Sequence, residues 1–292
     1  MRLTFLKVLF ILFFPISAFP QSFQDSSIIK NLKFINYLIK INELDDANYL
    51  LKNIDLNKIS NNNIKDSIKF LIGKNYFSMN DIDSSNKYFY EISKNSNQFI
   101  SSRFFSAYNF ICLEKYDNSK DILNDFKTDD LNIENFRSLY LSAIALLKRN
   151  YNEFEILSGK FDYNYSPTVQ AERSLPEYFE QLKNHKNNSM FLAGLMSAVI
   201  PGLGKVYAGK KGEGLAAFII VSSLAATTFE NYKKAGIKNI KTIFFGSVFT
   251  AFYIGNIWGS AFSVKIKNDE FNKTINRQIM LDINIPLHTI FY

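Results

Sequence analysis

The sequence predicts a mainly α-helical protein, in which a solenoid of helical hairpins is followed by a membrane domain of two or three helices. Two observations predict this division. Up to about residue 185 the apolar residues recur at helical intervals among Lys, Asn and Asp, whereas three later stretches are nearly free of charge. We expect a signal peptide at 1–21, a helical-repeat domain at 24–165, a linker at 166–189, a membrane domain at 190–264, and a polar tail with a candidate strand at 265–292.

The N-terminal segment has the composition of an export signal. The positive residues Arg2 and Lys7 precede the apolar run Val8–Ile16, and small residues follow that run. The alternative is an uncleaved membrane anchor, but Pro15 and Pro20 disfavour a continuous spanning helix. The sequence therefore predicts that the part after the signal is exported.

Composition excludes several classes of function. The net charge of +7 does not form a basic face, because Lys alternates with Asp, Glu and Asn, so no nucleic-acid partner is expected. Cys112 is the only cysteine, which excludes an intramolecular disulfide and a cysteine-based metal cluster. His185 and His288 are the only histidines, and neither has a carboxylate or nucleophile at a recognisable spacing. We therefore expect no catalytic residue, no metal ion and no cofactor.

Two stretches that lie 34 residues apart share one order of small and large residues. The paired positions are Gly73 and Ala107, Tyr76 and Phe110, Ser85 and Ser119, and Phe89 and Leu123. Small residues at the first and third positions let two antiparallel helices approach, while the larger residues fill the space between them. Weaker copies flank this pair, with turns expected at Asn42–Asp45 and Arg149–Asn152.

This spacing resembles that of the tetratricopeptide repeat family over residues 28–161, with about four hairpins. The usual Trp and closing Pro are missing, so a generic helical solenoid is the alternative. The resemblance implies binding of a protein or peptide along a concave groove rather than chemistry. The candidate groove residues are Lys74, Asn75, Arg103 and Asn109. In the alternative interpretation, the aromatic residues are all core and the array is a spacer or a dimer contact.

The segment after the hairpins is expected to be a connector. Asp162–Pro176 loses helical periodicity, as connecting segments do, and Glu177–His185 could form a short amphipathic helix. Three stretches then predict membrane helices. Thr242–Val264 carries no charge over its length, Gly214–Phe229 is shorter, and Asn187–Gly204 either spans or dips in and returns. Three spans would keep seven basic residues on the cytoplasmic side, which favours three over two.

The run Gly204–Lys210 has the spacing of a phosphate-binding loop. The next residue is Lys211 rather than Ser or Thr, and no strand precedes the run, so magnesium would lack its hydroxyl ligand. Nucleotide binding is therefore not expected.

A better match is to small bacterial membrane domains built around Pro-Gly-x-Gly, which residues 189–268 resemble. The residues that carry the resemblance are Pro201, Gly202, Gly204, Tyr207, Gly209 and Gly214. The resemblance implies a location and an architecture but no reaction. Gly255 and Gly259 form a helix-contact pattern, and Asn256 is expected to hydrogen-bond a neighbouring helix. A polar pathway through Asn256, Glu213 or Glu230 is the alternative.

In the tail, apolar residues alternate with polar ones, a period of two that predicts one strand. The apolar members are Ile279, Leu281, Ile283, Ile285 and Leu287. Together these features predict a non-enzymatic, membrane-anchored protein-binding scaffold of the bacterial cell envelope, with its repeat domain exported. A component of a transport or protein-assembly system is the alternative. The expected partners are a protein or peptide and membrane lipid, and homo-oligomerisation is left open.

Overall fold

The computed structural model describes residues 21–291, with side chains from Ile28 onward. The predicted signal peptide therefore lies almost wholly outside the described residues. Among the described residues every regular element is a helix, so the prediction of a mainly α fold is confirmed. The chain folds as two compact units, which we describe separately: unit 1 comprises residues up to Thr128 together with Leu287–Tyr292, and unit 2 comprises Asp129–Pro286.

The part of unit 1 that the structure describes contains six helices and the end of a seventh. Consecutive helices pack pairwise, and a single 3-10 turn, Leu56–Lys58, separates the first pair from the second. The six helices are α1 (Gln21–Lys40), α2 (Leu44–Lys52), α3 (Asn62–Ser78), α4 (Ile82–Tyr90), α5 (Phe99–Cys112) and α6 (Tyr116–Asn124). Leu287–Phe291 completes the described part of this unit and is the end of the last helix of the chain.

Unit 2 contains one further hairpin, a connecting helix and the apolar segments. Its helices are α7 (Leu131–Leu147), α8 (Tyr151–Ser158), α9 (Val169–Asn184), α10 (Met190–Val199), α11 (Leu203–Tyr207), α12 (Lys211–Ala235) and α13 (Ile240–Phe291, to Pro286 in this unit). The first part of α13 is apolar and the second part is polar. The polar part packs beside α9: the hydroxyl of Tyr178 donates to Oδ2 of Asp282 (2.9 Å), and the rings of His185 and Phe271 stack with centroids 3.6 Å apart.

The pairs α1/α2, α3/α4, α5/α6 and α7/α8 are closed by the same turn. One residue in each turn has a left-handed backbone, namely Asn42 (φ 65°), Asn80 (φ 59°), Glu114 (φ 57°) and Arg149 (φ 59°). The next amide then bonds to the carbonyl oxygen five residues back, in the pairs Glu43–Leu38, Asp81–Tyr76, Lys115–Phe110 and Asn150–Ala145. This bond satisfies a carbonyl that the helix end leaves free. Two of the four residues are neither Gly nor Asn, so the helix-helix geometry outweighs local preference there.

Close packing within two of these hairpins uses one arrangement. The hydroxyl of Ser85 donates to the carbonyl oxygen of Gly73 (3.0 Å), and the hydroxyl of Ser119 donates to that of Ala107 (2.8 Å). The two bonds are 34 residues apart at both ends. In α3 the helices approach so closely that a Cβ added to Gly73 would lie 2.5 Å from the ring of Phe89, which is fully buried.

The expected loss of helix before Pro176 is wrong, because α9 begins at Val169 and contains that proline. Both carboxylate oxygens of Glu172 accept hydrogen bonds, from the hydroxyl of Thr168 and from the amide of Tyr163, each at 2.7 Å. The buried residues Ala171, Leu175, Phe179 and Leu182 recur at helical spacing. Their burial outweighs the backbone hydrogen bond that Pro176 cannot make.

The strand expected in the tail is also wrong, because α13 remains helical to Phe291. Ile279, Ile283 and Leu287 are fully buried, whereas Leu281 is 50% exposed and Ile285 is 61% exposed. Residues spaced by four belong both to a period of two and to one face of a helix. The additional apolar residues at the intermediate positions made the sequence pattern resemble a strand, although they lie on the opposite face.

Candidate functional site

Three aromatic residues of α3 and α5, Phe77, Phe104 and Phe105, form a group within unit 1 that we call the aromatic face, in which Phe104 and Phe105 are fully buried. The end of α13 lies against it. The ring of His288 is centred 5.9 Å from that of Phe77 and 6.1 Å from that of Phe105, while the ring of Phe291 is centred 5.5 Å from that of Phe104. The aromatic face can therefore hold a helical segment whose large side chains are about one turn apart.

A cavity of about 480 Å³ lies beside this contact, between α1 and α3. Its walls are mixed, with apolar residues such as Ile64 and Leu71 and polar ones such as Lys33 and Asn36, and Phe291 closes part of it. The volume is that of a pocket for a small ligand or for a few side chains of a partner.

Lys74 is one of the predicted groove residues, and it does line this cavity. Its side chain is buried, with 1% of its surface exposed, and its ammonium donates to Oδ1 of Asn36 (3.0 Å). The ammonium also lies 5.7 Å from the ring centroid of Phe70. Burial, and secondly the positive charge of Lys40, lower the pKa of Lys74 to about 7. Near neutral pH the group therefore exchanges readily between a charged and a neutral donor.

The other three predicted groove residues, Asn75, Arg103 and Asn109, are buried within unit 1. Asn75 is buried in α3, and its amide nitrogen contacts the sulfur of Met79 (3.7 Å). The amide nitrogen of Asn109 donates to the hydroxyl of Ser85 and to Oδ1 of Asn86, both at 3.0 Å. The contacts of Asn109 join α5 to α4 of the preceding hairpin and so stabilise the array. The contact of Asn75 stays within α3, and its side-chain oxygen is buried without a hydrogen-bond partner among the described residues.

Arg103 is buried in the same way. Its guanidinium donates to the carbonyl oxygen of Phe89 and lies over the rings of Phe99 (4.8 Å) and Tyr90 (5.3 Å). A polar residue on the first helix of a hairpin can face either a groove or the next hairpin. The sequence pattern alone does not distinguish these two directions.

Large apolar side chains cover the outside of α10, α12 and the first part of α13. The exposed members include Phe191, Val199, Leu215, Ile219, Phe229, Ile243, Phe244, Phe252, Trp258 and Phe262. The helices Lys211–Ala235 and Ile240–Phe291 are each long and apolar enough to cross a membrane. By contrast α10 has ten residues and is about 15 Å long, half the thickness of the hydrocarbon layer. The described residues thus contain two candidate spans rather than three.

The Pro-Gly-x-Gly segment turns the chain back after α10. The residue after Pro201, Gly202, has a left-handed backbone (φ 83°), and a Cβ on it would overlap the carbonyl oxygen of Gly214. A Cβ on Gly204 would overlap the carbonyl oxygen of Ala193. The expectation that these glycines serve close helix packing therefore agrees with the structure, which leaves no space for any side chain here.

Asn256 joins this turn to α13. Its side-chain oxygen accepts from the amide of Gly202 (3.1 Å), and its nitrogen donates to the carbonyl of Ser197 (3.3 Å). The hydroxyl of Ser197 donates to that of Ser260 (2.7 Å) and accepts from the amide of Gly204 (2.9 Å). Each polar group in this buried cluster thus has a partner, as a low-dielectric environment requires. Ser197 and Ser260 were not singled out in the sequence, because neither belongs to a glycine motif.

Tyr207 and Gly209 end the glycine-rich segment. The hydroxyl of Tyr207 accepts from the amide of Ser189 (3.2 Å), and its carbonyl oxygen accepts from the side chain of Asn188 (3.0 Å). These contacts tie the start of α10 to the end of α11. Gly209 has a left-handed backbone (φ 92°) immediately before α12.

Gly255 and Gly259 are not at a close helix contact of the kind seen at Gly202 and Gly204. A Cβ on Gly255 would meet nothing within 4 Å, and one on Gly259 would meet only the side chain of Lys205, at 3.8 Å. Gly255 instead lines a cavity of about 510 Å³ between α12 and α13.

The described residues include no group of three His, Cys, Asp or Glu side chains placed to hold a metal ion. The two sites that the geometry defines are therefore the aromatic face with its adjoining cavity in unit 1 and the glycine-rich turn with its cavity in unit 2. No protein-family model, no curated protein and no solved structure shows significant similarity to this chain, so its function has to be inferred from these two sites.

Proposed function

We propose that this chain is a non-enzymatic, membrane-anchored scaffold of the bacterial cell envelope, and that its exported hairpins, at 24–165, bind a protein or peptide. The observation that carries the proposal is the aromatic face, against which the helical segment Leu287–Phe291 lies. Recognition of one helix by a surface of others is a common mode of peptide binding. The natural partner would replace this segment, which covers Phe104 and Phe105, and would likewise present large side chains with rings about one helical turn apart.

The repeated details of the hairpins support a tetratricopeptide-like solenoid. One left-handed residue closes each of four turns, and the same serine-to-carbonyl bond occurs twice at a spacing of 34 residues. Unrelated helices would not be expected to share these details. Arrays built from such units offer extended surfaces that are suited to binding rather than catalysis.

The apolar exterior of α12 and of the first part of α13 supports the membrane anchor. In water these side chains would form a patch far larger than soluble proteins usually expose. In a bilayer the same surface contacts the hydrocarbon chains of the lipids, so no other protein surface has to shield it from water. The polar side chain of Asn256 is fully engaged in helix packing, which weighs against the alternative of a transport pathway through it.

A two-span anchor has a definite topology. The contact between Tyr178 of α9 and Asp282 of α13 joins the segments before and after the membrane domain. This contact supports a topology in which both segments lie on one side of the bilayer, with an even number of crossings. If the hairpins are exported, the polar end of α13 is exported as well.

Photo-crosslinking in intact cells tests the proposed binding surface. Phe77 is partly exposed on the aromatic face, so replacing it by a benzophenone-bearing phenylalanine places the probe where the partner is expected. Tyr49, exposed on α2, offers a matched control at which the same replacement should capture little. We expect a discrete crosslinked protein from the first site, identified by mass spectrometry. Equal labelling from both sites, or none from either, would contradict the proposal.

A further inference from the structure

The cavity between α12 and α13 has the shape and lining of a site for an acyl chain. Its lining includes the small residues Ala216, Ala217, Ala251 and Gly255, together with the larger apolar residues Ile220, Val221 and Phe252. The volume of about 510 Å³ exists because these residues leave space between two helices that larger side chains would fill. In a membrane such a space must be occupied, because an empty apolar cavity loses dispersion contacts.

One end of this cavity is positively charged. Lys205 lines it, and within the described part of the chain the ammonium of this lysine makes no hydrogen bond or ion pair. Glu213 lines the same end, but its carboxylate is bridged to Lys210 (3.3 Å). The ammonium of Lys267 lies nearby, 3.6 Å from the position of a Cβ on Gly209. Among the described residues that line the cavity, Lys205 is therefore the one whose charge is not paired.

The charged end lies at the depth of the lipid headgroups in a two-span arrangement. Here α12 begins, at Lys211, and the uncharged part of α13 ends, at Val264. Asp269 and Glu270 lie further along α13 and are exposed, beyond this level. A lysine without an anion at headgroup depth attracts phosphate, since basic residues near a membrane surface favour anionic lipids.

We propose that this cavity binds an anionic phospholipid, with an acyl chain between α12 and α13 and the phosphate at Lys205. The inference rests on the membrane anchoring proposed above. A second copy of the chain is a poorer occupant, because both copies would have the same orientation in the membrane. Their lysine-bearing ends would then face each other, and the like charges would repel.

The test uses the full chain in nanodiscs made of equal parts of phosphatidylcholine and phosphatidylglycerol, with retained lipids counted by native mass spectrometry. The wild-type chain should retain phosphatidylglycerol in preference to phosphatidylcholine. Lys205→Gln should lower that preference about fivefold, the effect expected for one lysine–phosphate contact. Lys238→Gln, a matched change on the exposed turn between α12 and α13, should leave the preference unchanged.

A second pair of variants tests the acyl-chain part. Gly255→Leu should fill the cavity without a clash, since nothing lies within 4 Å of the new Cβ, and should abolish lipid retention. Gly212→Leu is the control, because it also enters open space but lies outside the cavity. If neither Lys205→Gln nor Gly255→Leu changes the retention of phosphatidylglycerol, the proposal is overturned. A lipid-free dimer that Gly255→Leu dissociates would overturn it as well. Recovery of the chain in solution without detergent would overturn the membrane anchor itself, whereas a nanodisc-embedded chain without retained lipid would overturn only the lipid site.

Discussion

The ammonium of Lys74 lies 3.0 Å from the side-chain oxygen of Asn36, and the lysine has only 1% of its surface exposed. Burial is the main reason that the pKa of Lys74 falls from 10.5 to about 7. In the unfolded chain the ammonium of Lys74 would keep its proton until the pH approaches the ordinary pKa of 10.5. Between these two pH values the folded state has released a proton that the unfolded state keeps.

The free energy of unfolding should therefore rise with pH between about 7 and 10 through this group, by up to about 1.4 kcal/mol per pH unit. Lys74→Met removes the titration, so its stability relative to wild type should decline steadily over the same range. Thermal melts of the full chain in detergent, followed by circular dichroism, measure this difference. Lys58→Met, at an exposed lysine, should show a constant difference from wild type; a constant difference for Lys74→Met too would contradict the assignment.

Gly73→Ala should destabilise the protein by about 1 to 3 kcal/mol, because the new methyl group would press on the buried ring of Phe89. The equivalent pair 34 residues later is Ala107 and Leu123, in which the larger first residue accompanies a smaller second one. The double variant Gly73→Ala/Phe89→Leu reproduces that pair, so part of the loss should be recovered. Melting temperatures of the two single variants and the double variant give the coupling energy, and additive losses would show that the ring can move aside.

Gly204→Ala should be among the most damaging small substitutions in unit 2, because its Cβ would overlap the carbonyl oxygen of Ala193. Backbone cannot yield as a side chain can, so we expect a loss above about 3 kcal/mol. Gly212→Ala meets nothing within 4 Å and should be neutral or stabilise helix α12 by up to about 1 kcal/mol. The fraction of protein that stays monodisperse after heating in detergent measures the relative stability of the two variants. Equal fractions would contradict the close approach of Gly204 to the carbonyl oxygen of Ala193.

Two substitutions distinguish a helix from a strand in the tail. Ile283 is fully buried and Leu281 is 50% exposed, although a strand would place both on one face. Ile283→Ala should cost about 2 to 5 kcal/mol, whereas Leu281→Ala should change stability by about 0.5 kcal/mol or less. Chemical denaturation of both variants measures the difference. Similar losses would favour the strand.

Topology can be tested with reporters fused after Lys186 and after Tyr292, each active on only one side of the membrane. An even number of crossings predicts that both report the same side, and the proposed export predicts that this side is outside the cytoplasm. Opposite results at the two positions would restore a third span. A cytoplasmic result at both would leave two spans but contradict export. For two spans, the lysine count favours this cytoplasmic orientation.

The sequence predicted helices well where burial and spacing agree, and poorly where two periods overlap. The turns at Asn42 and Arg149 were expected from their polar residues and are present. The tail was misread because Ile279 and Ile283 fit both a strand and a helix, and only the fold determines which neighbours are buried. At the candidate sites, Lys74 lines a cavity, whereas Arg103 and Asn109 contact adjacent hairpins. Which neighbour a side chain faces depends on how the adjacent hairpins pack against its helix. The local sequence pattern carries no information about that packing.

The reversal at Gly202 has a consequence for what each compartment can detect. Because α10 returns to its own side, the turn Gly236–Asn239 between α12 and α13 is the one part of residues 21–291 that would reach the opposite surface of a two-span anchor. A turn of this size offers almost no area for docking. Recognition, regulation and assembly of this protein would then be confined to one compartment. The bilayer would anchor the protein, and no signal would pass through the membrane domain.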